Sequence, residues 1–394
     1  TNMTAATILG GAIGDGAFYG CTGLISVNFG EKVTSVGNSI TFYGCTALTH
    51  FDVSTENATY SSLDGVLYNK DRTELLLYPL GKTDNSFTIP ETVTTLAEAA
   101  LMGSSLRSIT LPESLKTIGE HAFDNCPNLN TLAIPRNVTS IGTSAFNNCT
   151  GLTAFEVAPE NTVYVSADGI LYNRDKTTIV RYPPNKSTVS FTLPASVVEI
   201  SRYAFSDCQH LSSLSTPGVI IVGIGAFGWS GIKSITLAKS VSFINIYAFS
   251  SCTELTDLTV FWNAPSEVII PITDSQYDDI FYGIDKSAVN LHVPPGTKAA
   301  YIAHDIWKDF NIMDDATGID GVARSVVAVR FDPATGNLRI EGLTAPASVI
   351  ITDLNGRTVF QQTISGNEPI AAGYLPQGVY LVNVNGQTVK TIKN

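Results

Sequence analysis

Charge is what this chain has least of, and positive charge above all. Only 15% of its 394 residues are charged, and 23 Lys and Arg stand against 35 Asp and Glu, giving a formal net charge of −12. An acidic surface repels a phosphate backbone and an anionic membrane, so no nucleic-acid partner is expected. Long apolar runs are also missing. None approaches the roughly 20 residues of a spanning helix, so no transmembrane segment is expected. No signal peptide is recognisable. Thr1 reads as a trimmed start, which places any leader outside the sequence.

The usual marks of chemistry are absent too. His50, His121, His210, His292 and His304 are scattered, with no His-Glu-x-x-His and no Gly-x-Ser-x-Gly elbow. Gly223-x-Gly225 lacks the strand-to-helix setting of a nucleotide site, and the acidic residues form no alternating calcium-loop string. The six cysteines show no CxxC or Cys/His ligand spacing. No catalytic residue, metal ligand or cofactor is therefore expected, and the chain does not read as an enzyme.

What is present is a repeat. An aliphatic residue, a Gly or Ser, Ala-Phe, a Cys and Leu-x-x-Leu-x-Ile-Pro recur about eight times, most clearly from Ile118 to Pro135, and the next copy begins at Ile141. A fixed period of about 20–50 residues means a solenoid, whose turns bury their apolar side only by stacking on neighbours. Ala-Phe stands at 17–18, 122–123, 145–146, 204–205, 226–227 and 248–249, with Thr41-Phe42 and Ala100-Leu101 as variants. Cys21, Cys45, Cys126, Cys149, Cys208 and Cys252 occupy one equivalent point, which reads as a ladder of small buried thiols rather than a disulfide framework. The Phe-to-Leu spacing is one residue shorter from Leu101 to Leu106 and from Phe227 to Ile232. That variation suggests a short helical turn able to tighten. The Leu-x-x-Leu-x-Ile segment alternates as a half-buried strand, with Leu129, Leu132 and Ile134 inward, Thr131 and Ala133 outward, and Pro135 ending it.

Two related insertions, Asn57–Pro79 and Asn161–Pro183, carry Asp64-Gly65-Val66-Leu67-Tyr68 and Asp168-Gly169-Ile170-Leu171-Tyr172. Each reads as a β-hairpin that adds rungs to the array. Leu291-His292-Val293 looks like the last rung, and Lys298 to Trp307 reads as an amphipathic helix that caps it. From Ser325 short alternating runs lie between Thr335-Gly336-Asn337, Asn355-Gly356 and Asn385-Gly386, the pattern of a small antiparallel sandwich. The expected fold is thus a mainly β repeat solenoid with a curved parallel sheet and short helical turns, plus a small C-terminal antiparallel β-sandwich. The expected domains are an array over 1–313 with its cap about 295–310, a linker over 314–324 that few contacts cross, and the tail over 325–394.

Ala-Phe-x-x-Cys-x-x-Leu and the Asp-Gly-Val-Leu-Tyr-Asn-Lys-Asp hairpin resemble the BspA-like (treponemal-type) leucine-rich repeat family over roughly residues 1–313. The closing Val293-Pro294-Pro295-Gly296-Thr297, with Tyr301, Trp307 and Phe310, resembles the end segment of that family in Bacteroidetes. The tail, with Asp353-Leu354-Asn355-Gly356 and Leu375 to Val382, is similar to a type IX secretion sorting domain. The resemblance implies an exported protein, secreted or on the outer surface of a Gram-negative bacterium, acting in adhesion to host proteins or other cells. It carries over no binding residue.

The outward strand positions are mostly small and polar. His50, Asp52, Thr131, Glu156 and Asp257 are candidate contacts there, but that face shows no aromatic, and hot spots usually need Trp, Tyr or Arg. Exposed aromatics are expected instead at Trp229, Phe261 and Trp262, and on the hairpins at Tyr68 and Tyr172. The reading is a non-catalytic surface scaffold for a protein partner, either host matrix or another cell surface. A glycan-capturing accessory protein and a structural surface-layer component are the alternatives.

Overall fold

The computed structural model describes residues 3–37, 40–271, 279–316, 328–332, 335–341, 347–353, 357–365, 369–384 and 387–393. The turns at Asn355-Gly356 and Asn385-Gly386, residues 325–327 and the linker from 317 lie outside them. The chain forms two compact units. The first runs to Asp175 and includes Arg181–Ser187 and Ser206–Cys208; the second takes Lys176–Val180, Thr188–Phe205 and everything from Gln209. Both contain β-solenoid turns, about 14 in all, with almost no helix, and the second also holds the antiparallel strands of the tail.

One turn shows how sequence becomes structure. Thr131–Ile134 is a front strand with Leu132 and Ile134 buried and Thr131 and Ala133 exposed. Pro135 closes a turn, and Ser140–Ile141 forms a two-residue back strand. The chain then passes Ala145-Phe146, both buried, and enters the next front strand, Ala154–Val157, parallel to the first. The back strands are a second parallel sheet that the sequence reading missed. In the first unit Glu74–Leu77, Thr95–Leu96, Thr117–Ile118 and Ser140–Ile141 pair in register; in the second Thr178–Arg181, Glu199–Ile200, Ile221–Val222 and Phe243–Ile244 do. Two residues carry too little alternation to register as a strand.

The Ala-Phe wall is not the short helical turn that was expected. Left-handed residues flank the ring on both sides. His121 and Ser144 precede Phe123 and Phe146 by two places, and Asn125 and Asn148 follow by two, all with φ between 53 and 58. Such backbone cannot propagate a helix. The wall is instead a ladder between turns. Phe123 N–H donates to the Ala145 carbonyl at 2.9 Å, and Phe227 N–H donates to that of Ala248 at 2.8 Å. The rings stack along it, Phe123 on Phe146 at 5.8 Å and Phe227 on Phe249 at 5.0 Å. The cysteines bond the other way. Cys149 Sγ donates to the Phe123 carbonyl at 3.0 Å and Cys252 Sγ to that of Phe227 at 2.9 Å. None of the six cysteines forms a disulfide, and all but half-buried Cys21 are buried. In the two tightened turns Ser104 and Ser230 occupy the cysteine's place, both buried, and each meets the thiol of the following turn.

Both insertions are hairpins. Tyr60–Leu63 pairs antiparallel with Val66–Asn69, and Tyr164–Ala167 with Ile170–Asn173. A buried asparagine anchors each entry. Asn57 Nδ2 donates to the Gly30 and Val33 carbonyls at 2.7 and 3.1 Å, and its Oδ1 accepts from Thr59 and Tyr60 N–H. Asn161 repeats the arrangement.

The end of the array differs from expectation. Beyond Asn290–His292 a further parallel strand, Asn311–Met313, pairs with it. The helix spans only Lys298–Ile302, and the chain reaches Trp307 through turns. Tyr301 and Trp307 are buried, which suits the capping role. The tail has an antiparallel pair, Ala328–Phe331 with Leu338–Glu341, and a four-stranded antiparallel sheet. That sheet contains Ala347–Asp353, Thr358–Ile364 and Gly378–Val384, and adds Gln387–Lys393, which the sequence reading missed. Val349, Ile351, Leu338, Ile340 and Val382 form its core. The tail is not free of contacts, because Leu381 clusters with Ile220, Ile221 and Phe243 of the array.

Candidate functional site

In each unit the front strands present a regular outward face. In the second unit parallel register sorts it into two rows. Ser213, Ser234, Asp257, Asn290 and Asn311 form one; Thr192, Ser215, Thr236, Thr259, His292 and Met313 form the other. Leu214, Ile235, Leu258 and Leu291 alternate with them and are buried, so period-2 geometry alone sets what is displayed.

At one end the rows condense into a polar network. Asp257 accepts from Asn290 Nδ2 at 3.1 Å and from Thr256 Oγ1 at 2.7 Å. His292 lies between two carboxylates, with Nε2 3.3 Å from Asp257 and Nδ1 2.8 Å from Asp315. The amide and hydroxyl donors, with His292, hold the Asp257 carboxyl below its ordinary range. Partial burial works against charge on His292, but the Asp315 and Asp257 carboxylates outweigh it and raise the imidazole above its ordinary value. Of this network the sequence reading made only Asp257 a candidate contact. The signal for His292 was there, since Leu291-His292-Val293 was read as a rung, which places His292 outward.

In the first unit His50 and Asp52 share one front strand and lie 3.5 Å apart. Thr131 and Glu156 are exposed on paired strands but out of line, because Thr131 faces Ala154 and Glu156 faces Ala133. Strands Ser26–Ser35 with His50–Val53, and Thr131–Ile134 with Ala154–Val157, belong to separate sheets. The candidates thus form local pairs, not one constellation.

The aromatic expectations divide. Trp229 is 53% exposed and left-handed, with φ 55. Trp262 is fully buried. Its indole N–H donates to the Val241 carbonyl at 2.7 Å, its carbonyl accepts from Tyr301 Oη, and its ring lies beside Trp307. Phe261 is half-buried, and Tyr68 and Tyr172 are buried. The expected platform at Phe261-Trp262 is therefore corrected to part of the end packing, and the hairpin tyrosines to core. An exposed stack went unread. Tyr19 and Tyr43, each one place after a wall Phe, lie 5.8 Å apart with planes 22° apart. Among the described residues no three His, Cys, Asp or Glu side chains are grouped to hold a metal ion.

The repeats match the model of the BspA type leucine rich repeat region in six copies, over residues 5–66, 82–189 and 182–268. The chain belongs to this leucine-rich repeat family. Residues 332–394 of this repeat protein match a secretion system C-terminal sorting domain. Repeat array and sorting tail together make it a secreted or cell-surface protein. Neither family is one of enzymes. No match is found among curated proteins. Among solved structures, the leucine-rich cell surface protein of Faecalibacterium prausnitzii is 22% identical over 71% of this chain and 90% of its own, with a TM-score of 0.46. The pneumococcal vaccine antigen PcpA is 17% identical over 80% of each chain, with a TM-score of 0.47. No helix among the described residues is long and apolar enough to cross a membrane.

Proposed function

We propose that this leucine-rich repeat protein is a non-catalytic scaffold on the outer surface of a Gram-negative bacterium. It binds a protein partner, of host matrix or another cell, through the outward face of its front sheet. The supporting observation is the pair of in-register rows, polar up to Met313, with the Asp257, His292 and Asp315 network near one end. Strands about 4.8 Å apart display hydroxyls and amides at a constant pitch. A standard interface needs about 800 Å² per partner, which a stack of such strands supplies without any pocket. The array over 1–313 is the binding part, residues 314–324 the linker, and 325–394 the sorting or attachment part.

A screen of the purified chain against extracellular-matrix proteins and a glycan array tests this reading. A protein ligand is expected, weakened at least tenfold by Thr236→Lys with Asp257→Lys. Binding that ignores this double variant moves the site off the front face. The glycan reading has one observation of its own, the exposed Tyr19–Tyr43 stack, since sugars stack on aromatic faces. Glycan binding abolished by Tyr43→Ala, with no protein ligand, would favour it.

A further inference from the structure

The back sheet changes character between the units, at equivalent positions of the same repeat. In the first unit its outward row reads Glu74, Thr95, Thr117 and Ser140. In the second it reads Thr178, Glu199, Ile221 and Phe243, with Ile269 bridged to Phe243. The preceding residue follows suit: Thr94, Lys116 and Thr139 in the first unit, Val198, Ile220 and Ser242 in the second. Solenoid stacking already fills the interior through Val219, Val222 and Ile244, so these extra apolar residues are not needed there.

They are nevertheless covered. Ile220 is 0%, Ile221 4% and Phe243 0% exposed, whereas Lys116, Thr139 and Ser140 at the same repeat positions are exposed. Leu381 of the tail joins them in one buried apolar cluster, with Val198 and Ile269 packed against it at the rim. Alternation explains why Leu381 is available. Val349, Ile351, Tyr380, Val382 and Val384 point into the tail's own core. Ile350, Thr352, Leu381 and Asn383 lie on the opposite face in paired register, and all four are buried. On one edge strand of that same face Gln361 and Thr363 are exposed, so cover does not reach that edge. The seam is imperfect: the Thr352 and Ser242 hydroxyls are buried with no hydrogen-bond partner among the described residues. Buried unpaired hydroxyls weaken a contact, as suits two surfaces that meet rather than one continuous core.

We propose that Val198, Ile220, Ile221, Phe243 and Ile269 form a docking surface on the back sheet, and that its occupant is this chain's own C-terminal β-domain. The tail seats through the outer face of its central strands, with Leu381 as the anchor. Docking hides an apolar patch that release of the tail would bare.

The test uses the full chain with a protease recognition sequence placed within 317–327. After cleavage at micromolar concentration the array and tail should co-elute in size exclusion. Ile221→Thr with Phe243→Ser should abolish co-elution while the array keeps its circular dichroism spectrum, because Thr and Ser fill the same row in the first unit. Leu381→Ser approaches the contact from the other side and should also separate the fragments. Fragments of the parent that separate would overturn the proposal, as would co-elution that survives all these substitutions. An uncut parent that elutes as a dimer and becomes monomeric in the double variant would assign the patch to a second copy and also overturn it.

Discussion

At the scale of the residue, two positions of the wall show how one backbone demand is met by different side chains. The site two places after the wall Phe is left-handed in most turns and is taken by Gly20, Gly44, Gly103, Asn125, Asn148, Asp207, Trp229 or Ser251. Gly and Asn accept that geometry; an indole does so at a cost of about 1–2 kcal/mol. Trp229→Asn should therefore stabilise the protein by about 1 kcal/mol, read as a higher melting temperature. If the variant melts lower, the ring makes contacts that outweigh the strain. Strain kept at an exposed aromatic is also what a contact residue looks like. The thiols are the second case. Burial pushes Cys45 and Cys252 up to about 11 and Cys208 to about 12, disfavouring the reactive thiolate. A maleimide dye should label only half-buried Cys21 in the native state and all six thiols after denaturation. Rapid native labelling of more than one would contradict the buried ladder.

At the scale of the element, the stacked rings and the back sheet carry separate loads. Phe123 is buried and its ring stacks on Phe146. Phe123→Ala should cost roughly 3–5 kcal/mol, and an unchanged denaturant midpoint would remove the ring from the core. On the back sheet, burial pushes the Glu199 carboxyl from 4.5 to about 7, against a lowering hydrogen bond from Thr178 Oγ1 at 3.4 Å. The folded chain thus keeps a proton that the unfolded chain releases. This contribution is full below pH 4.5 and is lost as pH rises to about 7. Glu199→Gln should flatten the melting temperature across that window and raise it at pH 8. A profile that follows the parent throughout would show that Glu199 titrates as an ordinary exposed carboxyl.

At the scale of the whole molecule, the two faces of the second unit have different consequences. The front face is polar and open; the back face carries an apolar patch under the tail. Removing residues 325–394 should leave partner affinity intact, yet expose Ile220, Ile221 and Phe243 to other copies. The tail-less array should therefore bind as the full chain does and self-associate with concentration, with Ile221→Thr and Phe243→Ser restoring the monomer in analytical ultracentrifugation. Loss of binding at an unchanged melting temperature would move the function to the tail.

The spacing of Ala-Phe, Cys and Leu-x-x-Leu-x-Ile determined by itself that the chain is a stacked solenoid and which residues point inward, and the alternating runs after Ser325 marked the tail as antiparallel strands. These are consequences of local periodicity, which one strand or one turn suffices to express. The front rows were legible in the same way, down to Asp257. Three things were decided only by tertiary structure. The back sheet exists because two-residue strands in successive turns come into register, and neither residue announces it alone. Trp262 leaves the surface because the segment at Tyr301 and Trp307, far along the chain, packs against it. The Ile and Phe on the back row acquire meaning only from Leu381, more than a hundred residues later, because periodicity says which way a side chain points and nothing about what will cover it.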